Sequence, residues 1–265
     1  MPATHVGVVR VRFKLIQSQI VISIATIASL AIFTWPLFIE STFASDAQVA
    51  QTVFIFLMPA LILFVLAQYS AGGIDTRQLA ILGVLTALNS VIRLLGAGVA
   101  GIETVFFLII IGAFVFRSSF GFALGALSLL VSAVLSGGIG PWLPFQMMAA
   151  ALVGVGAGLL PRFPNRVLQI LCLAAYAVFA SFAYGALMTL WNWPYLAGIG
   201  TTLSYLPGAG LIANLERFWQ YQILTGGLAW DAGRAITTVI LIGLTAPALI
   251  ATLERAATRA GFRNY

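Results

Sequence analysis

Residues 116–161 read FRSSFGFALGALSLLVSAVLSGGIGPWLPFQMMAAALVGVGAGLLP, and this stretch decides the fold. Two apolar segments flank the loop Gly137-Gly138-Ile139-Gly140-Pro141-Trp142-Leu143-Pro144. Glycines recur four apart on both sides, Gly121 and Gly125 before the loop, Gly154 and Gly158 after it. In a bilayer that spacing lets helix backbones approach closely. Three glycines, two prolines and a tryptophan between the segments predict a shaped turn at a membrane interface rather than a continued helix. The turn reads as the lip of a binding cavity.

The same apolar texture covers the whole chain. Of 265 residues, 61% are hydrophobic and 8% charged, and the mean hydropathy is +1.06. Apolar runs of about 20 residues are long enough to cross a ~30 Å hydrocarbon core as helices. The expectation is an all-α polytopic membrane protein of eight spans, near 18–39, 50–70, 78–95, 103–117, 120–136, 144–160, 167–190 and 233–253. The run at 103–117 is the shortest. The basic start at Arg10, Arg12 and Lys14 imitates a signal peptide, but the following run, Ile20 to Ile39, exceeds the ~7–15 residues of a signal core. It is expected to remain as a span.

Charge orients the chain. With both termini in the cytoplasm, ten of the 13 basic residues fall inside: Arg10, Arg12, Lys14, Arg77, Arg117, Arg162, Arg166, Arg255, Arg259 and Arg263. Arg93, Arg217 and Arg234 fall outside. This is the asymmetry of a cell-membrane protein whose basic loops stay inside, and it accounts for the net charge of +6 without nucleic acid. The first two spans lack the glycine spacing, and Gly72-Gly73-Ile74-Asp75 makes a joint after them. Residues 1–75 are thus expected as a tail and two appended helices, and 76–265 as a six-helix core. The outer segment Trp191 to Asp231 is long, aromatic and poor in charge, with a short interfacial helix expected over Asn214 to Leu224. It reads as an aromatic belt, a pocket lid, or both.

Little catalytic chemistry is available. His5 is the single histidine, Cys172 the single cysteine and Lys14 the single lysine. Ser–His–Asp triads, histidine metal sites and a Walker A loop are therefore outside this chain's means, and no enzyme activity, metal or cofactor is expected. Polar residues inside spans are costly and usually face a cavity or a partner. Asn89 and Arg93, four apart, share one face of the third span. Gly83 and Ala87 share another, roughly 120° away at ~100° per residue. Gln146 follows the Trp142 loop by one turn. Arg93 could equally snorkel to the headgroups. Glu103 and Asp231 flank outer span ends, where either could cap a helix, or Asp231 could pair with Arg234.

Three stretches carry a family resemblance: Ser119-Phe120-Gly121-Phe122-Ala123-Leu124-Gly125-Ala126, Gly140-Pro141-Trp142-Leu143-Pro144-Phe145-Gln146-Met147, and Trp230-Asp231-Ala232-Gly233-Arg234. Over roughly Thr76 to Gly261 the chain resembles the S component of an energy-coupling factor (ECF) transporter, closest to the actinobacterial cobalamin-type group. The resemblance implies a six-helix bundle that captures a vitamin between its outer helix ends, under the loops at 95–103, 137–144 and 191–231. It implies a transmembrane coupling subunit (T component) docked on small residues of the first core helix, where Gly83 and Ala87 stand. The usual pattern has alanine at both, so Gly83 departs from it. It also implies two ATP-binding subunits, which fits the missing Walker motif. The two helices at 18–70 are outside the six-helix pattern.

Substrate-binding residues expected on these grounds are Asn89, Arg93, Trp142, Phe145, Gln146, Trp193, Tyr205, Trp219 and Trp230. Aromatics would cover apolar ligand faces and amides would fix orientation. A large lid favours a bulky ligand such as cobalamin. The competing readings are a stand-alone ion-coupled carrier, which would need an intramembrane acid, and a membrane enzyme acting on lipid, which the scarcity of acids, His and Cys disfavours.

Overall fold

The computed structural model describes residues 20–37, 44–71, 76–96, 101–196, 201–206 and 208–261. His5, Arg10, Arg12, Lys14, Arg263 and the joint Gly72-Gly73-Ile74-Asp75 lie outside these residues, as do parts of the expected loops at 95–103 and 191–231.

All regular structure among the described residues is helical. In chain order it runs α1 (Ile20–Phe33), a 3₁₀ turn (Trp35–Leu37), α2 (Ala44–Ala71), α3 (Thr76–Leu95), α4 (Val105–Phe116), α5 (Ser118–Ser136), α6 (Leu143–Gly158), α7 (Arg166–Leu190), α8 (Trp193–Leu196), α9 (Leu211–Leu224) and α10 (Gly227–Arg259). Four of them, α3, α5, α7 and α10, are long and apolar enough to cross a membrane. Their outward faces agree. Val84 and Leu88 on α3, Leu171 and Phe179 on α7, and Ile236 and Leu244 on α10 are all exposed. Apolar surface of that extent is stable only against lipid or another protein.

At the centre is α4. Its sequence, VFFLIIIGAFVF, has no polar side chain, and all twelve residues are buried. A helix apolar all round must be covered all round, and α3, α5, α6, α7 and α10 cover it. At 1.5 Å per residue it is about 18 Å long, shorter than a bilayer core. It ends at Arg117, whose φ of 78° is the one positive value outside glycine among the described residues. There the chain turns straight into α5. Arg162 donates to the Phe114 and Val115 carbonyls at 3.4 and 3.1 Å, filling acceptors that the end of α4 leaves open.

The most extensive helix pair is α5 with α6, and the glycine spacing is its cause. A Cβ on Gly121 would overlap the Gly154 carbonyl, one on Gly125 the Ala150 carbonyl, and one on Gly158 the Ser118 backbone. Backbone touches backbone along the whole crossing. On α7, Asn165 Oδ1 caps the helix by accepting from Val167 and Leu168 N–H at 2.8 and 3.3 Å. The first two helices join the same core: Ile22, Ala25, Ile32 and Phe33 of α1, with Met58, Ile62 and Val65 of α2, are buried in one apolar cluster with α3–α7 and α10.

Helix direction defines two ends. One, the arginine end, carries Arg77, Arg117, Arg162, Arg166, Arg255 and Arg259, with Glu254. The other, the cap end, carries Arg93, Arg217 and Arg234, with Glu103, Glu216 and Asp231. The last helix reaches past both limits expected for its span. With 33 residues it is about 50 Å long.

Candidate functional site

The densest polar construction lies inside the cap end, between α3, α5, α7 and α10. Thr86, Asn89, Ser90 and Arg93 occupy successive turns of one α3 face. Opposite them, Ser128 and Ser132 sit four apart on α5. The Ser90 hydroxyl lies 2.8 Å from the Thr86 carbonyl and 3.1 Å from the Ser128 carbonyl. Arg93 Nη1 donates to Ser132 Oγ at 3.1 Å. Asn89 is wholly enclosed, yet neither its amide nitrogen nor its oxygen has a hydrogen-bond partner. The Thr86 and Ser128 hydroxyls are buried without partners too. An unmet buried polar group costs about 1–3 kcal/mol, so the stripe is a costly feature of this helix packing.

Four charges close this stripe at the cap end. Glu103, in the turn before α4, places Oε1 3.4 Å from Arg93 Nε and Oε2 3.1 Å from Arg234 Nε. Arg234 also donates to Asp231 Oδ1 at 2.6 Å and to the Ser181 carbonyl at 3.2 Å. Its guanidinium lies 4.9 Å from the Tyr184 ring centre and 5.6 Å from that of Phe106. Two arginines and two acids sum to zero charge, the arrangement that makes ions tolerable away from water. Backbone shape supports it. Gly185 leaves the room that the Asp231 carboxylate fills, and Gly101, at φ 78°, packs against the Trp230 carbonyl and Gly233.

This differs from both capping roles. Thr104 is the N-cap of α4 and Gly226 that of α10, whereas Asp231 lies inside α10 and Glu103 ties together residues from distant parts of the chain. Scarcity of charge was the available signal. Where few ions exist and all are costly, those near span ends must find one another, and Arg93, Glu103, Asp231 and Arg234 were the ions to pair.

Over this end lies a cap made by α8, α9 and the described residues 201–206 and 208–210 between them. Trp193 is fully buried, edge-on to Tyr205 and Phe218 at 5.6 and 5.5 Å, and donates to the Leu203 carbonyl at 2.9 Å. Asn214 stitches the segment to α9: its Oδ1 accepts from Leu206 N–H at 3.0 Å, and its amide nitrogen donates to the Leu206 and Ala209 carbonyls at 3.1 and 3.0 Å. A groove of about 360 Å³ runs between α7, α9 and α10, lined by Met188, Thr189, Tyr221, Gln222, Thr225 and Trp230 among others.

All nine residues expected to bind substrate fall at the cap end, in three separate places. Asn89 and Arg93 share the interior stripe. Trp142 is exposed on the turn before α6, Gln146 is half-buried, and Phe145 belongs to the core, stacked on Trp191 at 3.6 Å with Phe33 edge-on at 5.9 Å. In the cap, Trp193 and Tyr205 pack together, Trp219 points outward, and half-exposed Trp230 lines the 360 Å³ groove. Gly83 and Ala87 lie exposed on the opposite side of α3 from buried Asn89, with nothing within 4 Å of a Cβ added at Gly83. Among the described residues no three His, Cys, Asp or Glu side chains converge on a metal-sized site. No family model, no curated protein and no solved structure matches this chain.

Proposed function

We propose that the chain is a substrate-capturing membrane subunit, an S component of an ECF-type importer that takes a vitamin, cobalamin or a related cobamide first, at the cap end. In this reading all eight apolar helices lie in the membrane with both termini cytoplasmic. The cap end faces outward and the arginine end inward, in keeping with the distribution of positive charge. Residues 76–265 form the capture core, with two helices before it. The open Gly83–Ala87 face receives the T component, and two ATP-binding subunits supply the hydrolysis for which this chain has no Walker loop. The observation that carries the proposal is Asn89, an enclosed amide with four unmet hydrogen-bonding positions, two turns from the aromatic cap's end of the bundle. Such an amide suits a polar ligand that enters from the cap end.

Mass spectrometry of small molecules released from protein purified from its native membrane tests this. A vitamin-class compound released from wild type and absent from Asn89→Leu is the expected result. Full occupancy in the folded variant removes the stripe from the site.

One observation favours the ion-coupled carrier instead: Asp231 is a buried acid within α10, 3% exposed. Its pairing with Arg234 at 2.6 Å commits it to the charge cluster. Uptake by reconstituted vesicles under a proton or sodium gradient alone, without ATPase subunits, would establish the carrier reading.

A further inference from the structure

At the arginine end a groove of about 860 Å³ lies between α3 and α10, lined by Arg77, Ala80 and Ile81 of α3 and by Thr252, Arg255, Ala256, Arg259 and Ala260 around the end of α10. Three of the eight lining residues are arginines and none is acidic. Arg77 Nη1 donates to the Arg259 carbonyl at 3.1 Å, closing the groove at its end, and Arg255 Nη2 lies 3.2 Å from Thr252 Oγ1. Alanines on both walls leave the space between the guanidinium groups open. Glu254, the one acid in these last turns, is exposed and does not line the groove.

The groove continues into apolar surface. Helical spacing carries the α3 wall from Arg77 and half-buried Ile81 to exposed Val84 and Leu88, and the α10 wall from Thr252 to exposed Ala248 and Leu244. Positive charge at the helix ends, then a two-sided apolar track running toward mid-helix, is the polarity of a phospholipid. Basic pockets between helices near the cytoplasmic surface bind anionic headgroups. We propose that this groove is a binding site for an anionic phospholipid, its phosphodiester held by Arg255 and Arg259 and its acyl chains lying along Val84, Leu88, Leu244 and Ala248. The groove is separate from the polar stripe, and its occupant does not depend on which solute the cap end takes.

Native mass spectrometry of the full-length protein in nonionic detergent tests it, with phosphatidylglycerol and phosphatidylcholine supplied at equal concentration. Wild type should retain phosphatidylglycerol selectively. Arg255→Gln combined with Arg259→Gln should lower retention about 25-fold, at roughly fivefold per arginine. Ala256→Trp keeps every charge but fills the groove, and should lower retention comparably. Arg166→Gln, which removes a charge from the same end outside the groove, should leave it unchanged. Circular dichroism verifies that each variant is folded, and the two groove variants fail independently. Equal retention of the two lipids, wild-type retention by folded Ala256→Trp, or equal loss in Arg166→Gln overturns the proposal in favour of diffuse surface charge. Displacement by excess inorganic phosphate overturns it in favour of a soluble anion, and displacement by an acidic helical peptide in favour of a protein partner.

Discussion

Removing Arg234 should destabilise the protein severely, and removing Asp231 with it should restore most of the loss. Arg234 meets Glu103 at 3.1 Å and Asp231 at 2.6 Å, with its side chain 6% exposed. In Arg234→Met the cluster holds Arg93 against two acids, a net charge of −1 beneath the cap. Asp231, whose side chain is 4% exposed, keeps no cation at hydrogen-bond distance. Breaking a buried pair in this way costs about 3–5 kcal/mol. The double variant Arg234→Met/Asp231→Asn returns the cluster to neutrality, with Arg93 and Glu103 still paired. Well-packed neutral replacements of buried ion pairs are often close to neutral in stability, so the double variant should lie within about 2 kcal/mol of wild type. Equilibrium unfolding in mixed detergent–dodecyl sulfate micelles, followed by far-ultraviolet circular dichroism, reads both values. A double variant no more stable than Arg234→Met would refute the charge-balance argument. It would leave packing against Tyr184 and Phe106 as the residue's main contribution.

Other outcomes follow from the same geometry. Asn89→Leu should raise stability by about 1 kcal/mol in the same unfolding assay, because an unmet amide gives way to apolar contact. A loss of stability would mean the amide is satisfied within the fold. Gly125→Leu should cost about 3 kcal/mol or more, since its Cβ would overlap the Ala150 carbonyl. Gly243→Ala, with open space around it, should gain up to about 1 kcal/mol; thermal melts in detergent compare the two. Asn214→Ala removes the three hydrogen bonds that hold Leu206 and Ala209. It should cost about 1–3 kcal/mol and speed limited proteolysis between 201 and 210, while the helices stay resistant.

The helical layout was legible because hydropathy and glycine spacing are local signals. Among the described residues each run expected to span overlaps a helix, four of them long and apolar enough to cross a membrane, and the Gly121–Gly125 and Gly154–Gly158 spacing marks the tightest crossing. The opposed faces of α3 were legible too, since helical angle alone separates buried Asn89 from exposed Gly83 and Ala87. The short helix expected at 214–224 is present as Leu211–Leu224. What hydropathy could not convey was three-dimensional company. A run of twelve apolar residues reads alike whether it faces lipid or is wrapped by five helices, as α4 is. Phe145 and Trp193 read as ligand-facing aromatics because an aromatic near an interface carries no sign of which surface it covers. In the structure Trp191 stacks on the first, and Phe218 and Tyr205 abut the second. Glu103 has no local mark either: its role depends on Arg234, 131 residues away. Nor does the sequence of the 3₁₀ turn after α1 announce that Trp35 Nε1 donates to the Trp191 carbonyl at 3.2 Å.

The capture function is tested most directly by titrating detergent-purified wild-type protein and Asn89→Leu with a panel of vitamins, cobalamin first, in a calorimeter. Tight, saturable binding of one vitamin by wild type and its loss in the folded variant are the expected results. Absence of binding across the panel by folded wild-type protein, or equal binding by both proteins, would contradict it.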